Sequence, residues 1–292
     1  MRRLIFSFLT VVLLCGCEKA LSSDIDAMDV TVDSASVTMR FTLTNSDVAT
    51  RAADMTNYVS KLNVQLFDED GQKVFSSVKT QTKNDDDFGS LNTELADGTY
   101  TVVAVAHSSA RSATIKSPEV VQFTAQDGEK LTDTFCHVST VEVGEDSRSF
   151  SLPMYRATAM VQLHLTDETL PSELWYVKAE YTGGSANVNP TTLEGITKSS
   201  QSERRIRNEL RLHQYFTFPY MSTTGTLKMK VSATTSDGTV LRQRTFDAVP
   251  VARNRITTYE GELFGDGEWI ATQTDFSFLI HADWEGEDHY TF

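Results

Sequence analysis

Cysteine, histidine and proline are scarce in this sequence: its 292 residues include three Cys, six His and six Pro. So few thiols and imidazoles exclude a disulfide-stapled scaffold or a protein with several zinc sites. Six Pro and 15 Gly also exclude a collagen-like or low-complexity chain. Basic residues are outnumbered, 26 Lys and Arg against 40 Asp and Glu, which gives a net charge of −14 at pH 7. Because an acidic surface repels phosphate groups, no nucleic-acid partner is expected.

Sequence signatures of catalysis are absent as well. The chain has no G-x-S-x-G nucleophile elbow, no glycine-rich phosphate loop, no dinucleotide fingerprint and no H-E-x-x-H zinc motif. Two acidic stretches, residues 68–71 and 85–87, lack the alternating ligands and distal Glu of a calcium loop. They are expected to be solvated turns, the first leading into a strand at Val74 and Phe75. We therefore predict that the protein is not an enzyme and holds no metal or cofactor.

The N-terminus has the pattern of an exported lipoprotein. Arginines at positions 2 and 3 precede an apolar run over residues 4–14, too short for the roughly 20 residues of a membrane-spanning helix. The run ends in Leu-Cys-Gly-Cys, which resembles a bacterial lipobox, whose last Cys is acylated and becomes the first mature residue. We expect removal of residues 1–16 and lipidation of Cys17. A plain signal peptide with incidental cysteines is the alternative.

The full sequence is 40% hydrophobic, and after a predicted tether over residues 17–34 its apolar residues recur at every second position. This is the period of half-buried β-strands. A first series of such segments occupies residues 37–43, 62–66, 100–106, 120–123, 135–143 and 150–154. A second series follows at 159–165, 175–181, 227–233 and 276–284. We predict an all-β fold of two tandem antiparallel β-sandwich domains, residues 35–153 and 154–292.

One basic island interrupts this acidic sequence, at Arg204, Arg205, Arg207 and Arg211. The pattern of residues 201–212 fits either a short surface helix or an arginine-rich strand. Clustered guanidinium groups would dock an acidic surface of another subunit or the phosphates of lipid headgroups. A solvated, exposed face is the alternative.

Several segments of the chain recur in one known family. They are the lipobox ending at Cys17, the Thr-Arg-Ala connector at 50–52, the strand and turn at 62–71, the strand at 98–106, the junction at 154–159 and Ala-Arg-Asn-Arg at 252–255. In their arrangement they resemble the Bacteroidales-type fimbrillin superfamily, specifically the lipoprotein anchor and accessory subunits of type V pili. The resemblance covers nearly the whole mature chain.

This resemblance implies two transthyretin-like β-sandwich domains and a role in fimbrium (pilus) assembly and cell adhesion. It implies other fimbrial subunits as partners, and a position at the surface of the outer membrane, held there by lipid on Cys17. In polymerising members an arginine-directed protease removes the first strand, and a strand from another subunit fills the groove. Arg51 matches the place of that cleavage; in an anchor-type subunit it would be a solvated loop residue.

A second hypothesis comes from the aromatic residues. An exposed Trp269 would serve a surface lipoprotein as a stacking platform for sugars. The function expected on this hypothesis is that of a glycan-binding module, with a ligand that the sequence does not identify.

Overall fold

The computed structural model describes residues 34–44, 55–126, 128–208 and 211–275. Within these ranges the chain forms β-strands, one 3₁₀ turn (Met55–Asn57) and no α-helix. The predicted all-β class is therefore confirmed. The described residues all belong to one compact unit.

Nine strands precede residue 157. They are β1 (Ser34–Thr44), β2 (Lys61–Phe67), β3 (Lys79–Thr82), β4 (Ser90–Ala96), β5 (Gly98–His107), β6 (Thr114–Ser117), β7 (Val120–Gln122), β8 (Thr134–Val143) and β9 (Ser149–Arg156).

The described residues that follow form eleven more strands. They are β10 (Ala159–Leu165), β11 (Tyr176–Thr182), β12 (Gly184–Ser185), β13 (Asn187–Asn189), β14 (Glu194–Gly195), β15 (Gln201–Ile206), β16 (Leu212–Pro219), β17 (Thr224–Thr234), β18 (Val240–Ala252), β19 (Arg255–Gly261) and β20 (Ile270–Asp275).

A seven-stranded sheet dominates the first series, in the order β3-β2-β5-β8-β9-β1-β4. Alternate residues of its strands point to one side and form the first hydrophobic core, which includes Met39, Leu66, Leu91, Phe135 and Met154. Every strand of the sheet except β3 contributes to this core, so the core lies against one face of the sheet. The alternation predicted for residues 37–43 is confirmed, since β1 alternates between buried and more exposed positions.

The opposite face of the same sheet is also covered. Val103 and Val105 of β5 turn away from the first core and enter a second one, which they share with residues of the second series such as Val188 and Phe218. Strand β5 is therefore buried on both faces, and residues 102–107 are all buried. A small sheet in the order β14-β13-β7-β6 continues this connection through backbone pairing of β13 with β7.

Two sheets of the second series pack face to face around a third core. One has the order β12-β16-β10-β19-β20, and the other the order β15-β11-β17-β18. Leu163, Val177, Tyr215, Met229 and Val231 are among the side chains buried between them. Burial of each large apolar side chain contributes about 1.5–3 kcal/mol, so packing alone can stabilise this half.

Two predicted details differ from the structure. The turn at residues 68–71 forms, with the Gln72 N–H donated to Asp68 Oδ1 over 2.7 Å, but Val74 and Phe75 are not in a strand. Lys73 forms an isolated antiparallel bridge with Phe67, and the Val74 N–H is donated to the Leu66 carbonyl over 2.9 Å. Continuous pairing with β2 begins only at β3, because the chain between them turns inward and buries Phe75 in the first core.

The predicted sandwiches were antiparallel, yet β1 pairs in parallel with β9, and β10 with β19. In each half the first strand of the series lies beside a late strand of the same series, in an interior position of its sheet.

Candidate functional site

Two predicted site residues, Cys17 and Arg51, lie outside the residues that the structure describes. The segment 276–284, predicted as a strand, lies outside them as well. The strand between Cys17 and Arg51 is described, however. Strand β1 is the element on which the strand-exchange hypothesis depends, and its surroundings form the candidate site.

Strand β1 lies inside its sheet, between β4 and β9. It is antiparallel to β4, from Ser34 opposite Ala96 to Arg40 opposite Ser90. It is parallel to β9, from Thr38 opposite Ser149 to Thr44 opposite Tyr155. We call this position the first-strand slot: the gap between β4 and β9 that residues 34–44 fill.

The inner wall of the first-strand slot is the first core. Val37, Met39, Phe41 and Leu43 are at most 3% exposed, and they occupy every second position of β1. At about 1.5–3 kcal/mol each, the four side chains stabilise the strand in the slot by roughly 6–12 kcal/mol. That is comparable to the whole stability of a typical domain, about 5–15 kcal/mol. Loss of β1 from the slot would therefore expose this core and cost the fold most of its stability.

Contacts along the rim of the slot are mostly made by the β1 backbone. The Thr38 N–H is donated to the Arg148 carbonyl and the Phe41 N–H to the Gly89 carbonyl, each over 2.8 Å. One side-chain bond adds to them, from Thr38 Oγ1 to Asn92 Oδ1 over 2.7 Å. Because backbone bonds do not depend on side-chain identity, the slot selects a strand by its apolar pattern.

Strand β10 has the same kind of surroundings, lying between the antiparallel β16 and the parallel β19. Its connection to the preceding strand is only two residues long, Ala157 and Thr158. Strand β1 is separated from β2 by a much longer connection, residues 45–60. The two strands therefore have similar surroundings and differ in the length of the chain that links them to a neighbouring strand.

A buried ion pair anchors the short connection between β9 and β10. Arg156, 2% exposed in its side chain, donates to both carboxylate oxygens of Asp133 at 2.9–3.1 Å. Its Nη1 donates to Asn254 Oδ1 over 2.9 Å, and Thr158 Oγ1 donates to Asp133 Oδ1 over 3.0 Å. The guanidinium carbon also lies 4.7 Å from the centre of the Phe135 ring. We call Arg156, Asp133, Thr158 and Asn254 the junction clamp.

The junction clamp brings together two segments that carry the family resemblance, 154–159 and 252–255. Arg156 and Asn254 are 98 positions apart in sequence. Asn254 adopts a left-handed backbone (φ 61°), a conformation that Asn tolerates better than most residues. Asp133, the carboxylate that pairs with Arg156, was not predicted, since a lone Asp before a strand carries no periodic signal.

The four predicted arginines do not form one cationic patch. Strand β15 resolves the open choice between helix and strand, since residues 201–206 pair with β11. Arg205 turns toward Glu203 (2.8 Å) and Glu129 (3.5 Å) and is largely buried. Arg207 donates to the Pro171 carbonyl and Arg211 to the Glu168 carbonyl, each over 3.2 Å. Arg204 is exposed, lies over the Tyr176 ring and forms no ion pair with any described residue.

Two buried titratable side chains of the described residues, Glu203 and Cys136, have structural surroundings. Glu203 accepts from Tyr181 Oη over 2.7 Å and pairs with Arg205, while burial raises the pKa of the Glu203 carboxyl. Cys136 and His137 point to opposite sides of β8, and burial raises the pKa of the Cys136 thiol above its usual range. A neutral thiol is a weak nucleophile, so this pair does not form a catalytic dyad.

Trp269 does not offer an open platform. Its ring centre lies 5.3 Å from that of Phe246, nearly perpendicular to it, and its atoms cover Gly261 closely. The indole is only half-exposed and packs against the third core. The exposed tryptophan in the described part of the chain is Trp175, at 51%.

No group of three or more His, Cys, Asp or Glu in the described residues is arranged to hold a metal ion. The same residues include no helix with the length and hydrophobicity to cross a bilayer.

Residues 29–291 match the model of a family described as "family of unknown function (DUF6562)". No curated protein is significantly similar to the chain in sequence.

Among solved structures, the chain is similar to a candidate adhesin from Bacteroides thetaiotaomicron. The two share 14% identity and a TM-score of 0.50, over 82% of this chain and 96% of the other. The fimbrial anchor protein Mfa2 from Porphyromonas gingivalis is 13% identical, with a TM-score of 0.43 over 82% and 95%. A fimbrial assembly protein from Parabacteroides distasonis is 14% identical, with a TM-score of 0.42 over 83% and 97%. At the level of fold, the adhesin confirms the predicted resemblance.

Proposed function

The chain belongs to the DUF6562 family of unknown function, and from that premise we propose that it is a non-catalytic, cell-surface subunit of a fimbrium that joins other subunits by β-strand exchange. The observation that carries the proposal is the first-strand slot. Residues 34–44 fill an interior position of a seven-stranded sheet, and a long connection links them to the rest of the fold. Two of the structural neighbours are named as a fimbrial anchor protein and a fimbrial assembly protein, which is the class of protein proposed here.

Strand exchange accounts for features that a simple adhesin would not need. A strand with four apolar residues at every second position is complementary to the slot whether it comes from this chain or from another. Because both rims of the slot are backbone hydrogen-bonding edges, an incoming strand regains the bonds that β1 gives up. The exchange is close to balanced in free energy, so assembly can be controlled by whatever releases β1.

We extend the proposal to processing and anchoring. Cleavage after Arg51 would sever β1 from β2 and leave it held by packing alone. Lipid on Cys17 would place the protein on the outer membrane with its β-sandwich body outside. We also propose two transthyretin-like domains, residues 35–153 and 154–292, because the first and third cores are each drawn almost entirely from one series of strands.

A reversible lock on β1 tests the exchange directly. Ser36 and Glu94 are exposed and directly opposite each other, so the double variant Ser36→Cys/Glu94→Cys would bind β1 covalently to β4 when oxidised. The matched control is Gln162→Cys/Gln214→Cys, which ties β10 to β16 across a pair joined by a 3.2 Å side-chain hydrogen bond. The natural thiol Cys136 is buried and does not compete.

In cells that produce fimbriae, the oxidised β1–β4 variant should fold and reach the surface yet be absent from sheared fimbriae. A reducing agent should restore its incorporation, and the control pair should incorporate in either condition. Equal incorporation of the oxidised β1–β4 variant would contradict exchange through this slot. Unchanged fimbrial length, retention and adhesion after deletion of the gene would contradict a fimbrial role altogether.

Lipidation of Cys17 is tested separately. The variant Cys17→Ala should move the protein from the membrane fraction to the soluble fraction, because the acyl chains contribute about 0.8 kcal/mol for each buried CH₂. Membrane attachment that survives the substitution would show that another element holds the protein there. The readout is the distribution of the protein between fractions, with Cys136→Ala as the control.

A further inference from the structure

A cleft of about 350 Å³ opens on the outer face of the sheet β15-β11-β17-β18. It lies where the turn at Gly128 meets this sheet. Its lining consists of two cations, one aromatic ring, two hydroxyl side chains and two glycines: Lys178, Arg204, Tyr176, Ser202, Thr234, Gly128 and Gly238. Its volume falls at the lower end of small-molecule sites and suits one or two sugar rings.

Arg204 is held in this cleft before any ligand arrives. The guanidinium carbon lies 5.0 Å from the centre of the Tyr176 ring. The backbone N–H of Arg204 is donated to the Gly128 carbonyl over 2.8 Å and fixes the strand at this point. Gly128 allows a close approach, since a Cβ there would come within 2.7 Å of Arg204 Nε. The side chain is nevertheless exposed and makes no ion pair with any described residue. A fixed guanidinium without a carboxylate is suited to binding an anion in bidentate fashion.

The surrounding face is more positive than the molecule as a whole. Lys178 lies directly opposite Arg204 in the sheet. A single carboxylate, Glu180, pairs with both Lys178 (3.2 Å) and Lys230 (2.6 Å), and the bond from Lys230 lowers the pKa of that carboxyl. Two lysines sharing one carboxylate leave an excess of positive charge beside Arg204, on a chain whose net charge is −14. An anionic ligand is attracted to this face and away from the rest of the surface.

The remaining groups favour a sugar over a bare anion. The exposed Ser202 hydroxyl can exchange hydrogen bonds with a polyol, whereas the buried Thr234 hydroxyl donates to the Tyr176 carbonyl over 3.3 Å and can only accept from one. Two exposed apolar residues flank Tyr176 outside the lining of the cleft: Trp175, whose ring centre is 6.3 Å from that of Tyr176, and Ile206, opposite Tyr176 in the sheet. A sugar that extends beyond the cleft can place the C–H face of a pyranose ring against them, and a phosphate ion would not contact them.

From this arrangement we propose that the cleft binds a carboxylate-bearing sugar unit of an acidic polysaccharide. Arg204 receives the carboxylate, Lys178 adds charge, and Ser202 and Thr234 bond the ring hydroxyls. Gly128 is a positioning residue, because its missing side chain allows Arg204 to lie where it does. The site is separate from the first-strand slot, so it would operate whether or not β1 is exchanged.

Trigalacturonate is a suitable probe, and its fully methyl-esterified form is the matched neutral ligand. Isothermal titration calorimetry of the wild-type protein at low salt should show saturable binding of the acid that weakens as salt is added. Arg204→Ala should lower the affinity at least tenfold, Arg204→Lys by less, and Lys178→Ala about threefold. Gly128→Ala should also weaken binding, although it changes no charge.

Lys228→Ala is the control for the general field of the face, because Lys228 is exposed, pairs with Asp247 and lies outside the cleft. It should bind trigalacturonate like the wild type. Equal binding of the methyl ester, an equal loss in Lys228→Ala or unaltered binding by Arg204→Ala would overturn the proposal. Triglutamate that binds as tightly would assign the cleft to acidic peptides instead. Circular dichroism of each variant checks that the fold is retained, and no outcome bears on fimbrial assembly.

Discussion

At the scale of single residues, the junction clamp is the most demanding arrangement in the described structure. Arg156 is a charged side chain that is almost completely buried, and it is tolerated because Asp133 neutralises it. A buried ion pair contributes little net stability compared with apolar residues of the same shape, but removal of one partner leaves an uncompensated charge. Asp133 is therefore more important to folding than its unremarkable sequence context indicates.

Asp133→Asn should lower the free energy of unfolding by about 3–5 kcal/mol, because it leaves the Arg156 guanidinium buried without a counter-charge. The measurement is urea denaturation followed by tryptophan fluorescence. Asp247→Asn is the matched control, since Asp247 pairs with Lys228 in solvent and such pairs contribute about 0–1 kcal/mol. If both variants lose a similar amount of unfolding free energy, burial does not make the Asp133–Arg156 pair more important than an exposed pair.

At the scale of elements, β1 joins two parts of a sheet that would otherwise each end in an exposed edge. Its apolar face supplies the energy that holds it, and its opposite face, which includes Arg40, is exposed. Stability and exchange should therefore depend on one face only.

Leu43→Ala should destabilise the protein by about 2–5 kcal/mol, because it leaves a cavity in the first core. Arg40→Ala, in the same strand but exposed, should change stability by no more than about 0.5 kcal/mol. Thermal denaturation of the two variants beside the wild type gives the comparison. A loss from Arg40→Ala as large as that from Leu43→Ala would mean that β1 is not held by its buried face.

Limited trypsin digestion of the folded protein tests the connection between β1 and β2. The first cut should fall at Arg51, since a long connection between strands is generally cleaved before the strands of a sheet. Mass spectrometry of the earliest fragments identifies the site. An initial cut within the second series of strands would remove the support for processing at Arg51.

At the scale of the whole molecule, buried neutral histidines couple the fold to pH. His107 is enclosed, with Nε2 2.8 Å from Asn63 Oδ1 and Nδ1 accepting the Ser109 N–H over 3.0 Å. Burial and the nearby Lys61 lower the pKa of His107 to about 3. Burial and Arg205 lower the pKa of His213 to about 4. Both imidazoles stay neutral in the folded protein well below the pH at which they become charged in the unfolded chain.

Below about pH 6.5 the unfolded chain binds protons that the folded protein excludes, so stability should fall as the pH is lowered from 6.5 toward 4. Each of the two histidines accounts for about 1.4 kcal/mol per pH unit in this window. Urea denaturation at a series of pH values measures the slope. His213→Gln should make this slope shallower, because the substituted side chain does not titrate. If the unfolding free energy of His213→Gln falls with pH as steeply as that of the wild type, His213 does not contribute to the pH dependence.

The sequence by itself determined the all-β class and the position of β1, because strand alternation is a local pattern that the chain carries without reference to its partners. Only the tertiary structure decided that β1 lies between β4 and β9, that Arg156 bonds both Asp133 and Asn254, and that Arg205 is buried in a salt bridge while Arg204 forms no ion pair with any described residue. These are relations between residues far apart in the chain, set by sheet order and packing. A one-dimensional pattern fixes which face of a strand is apolar, but not which strand will cover it.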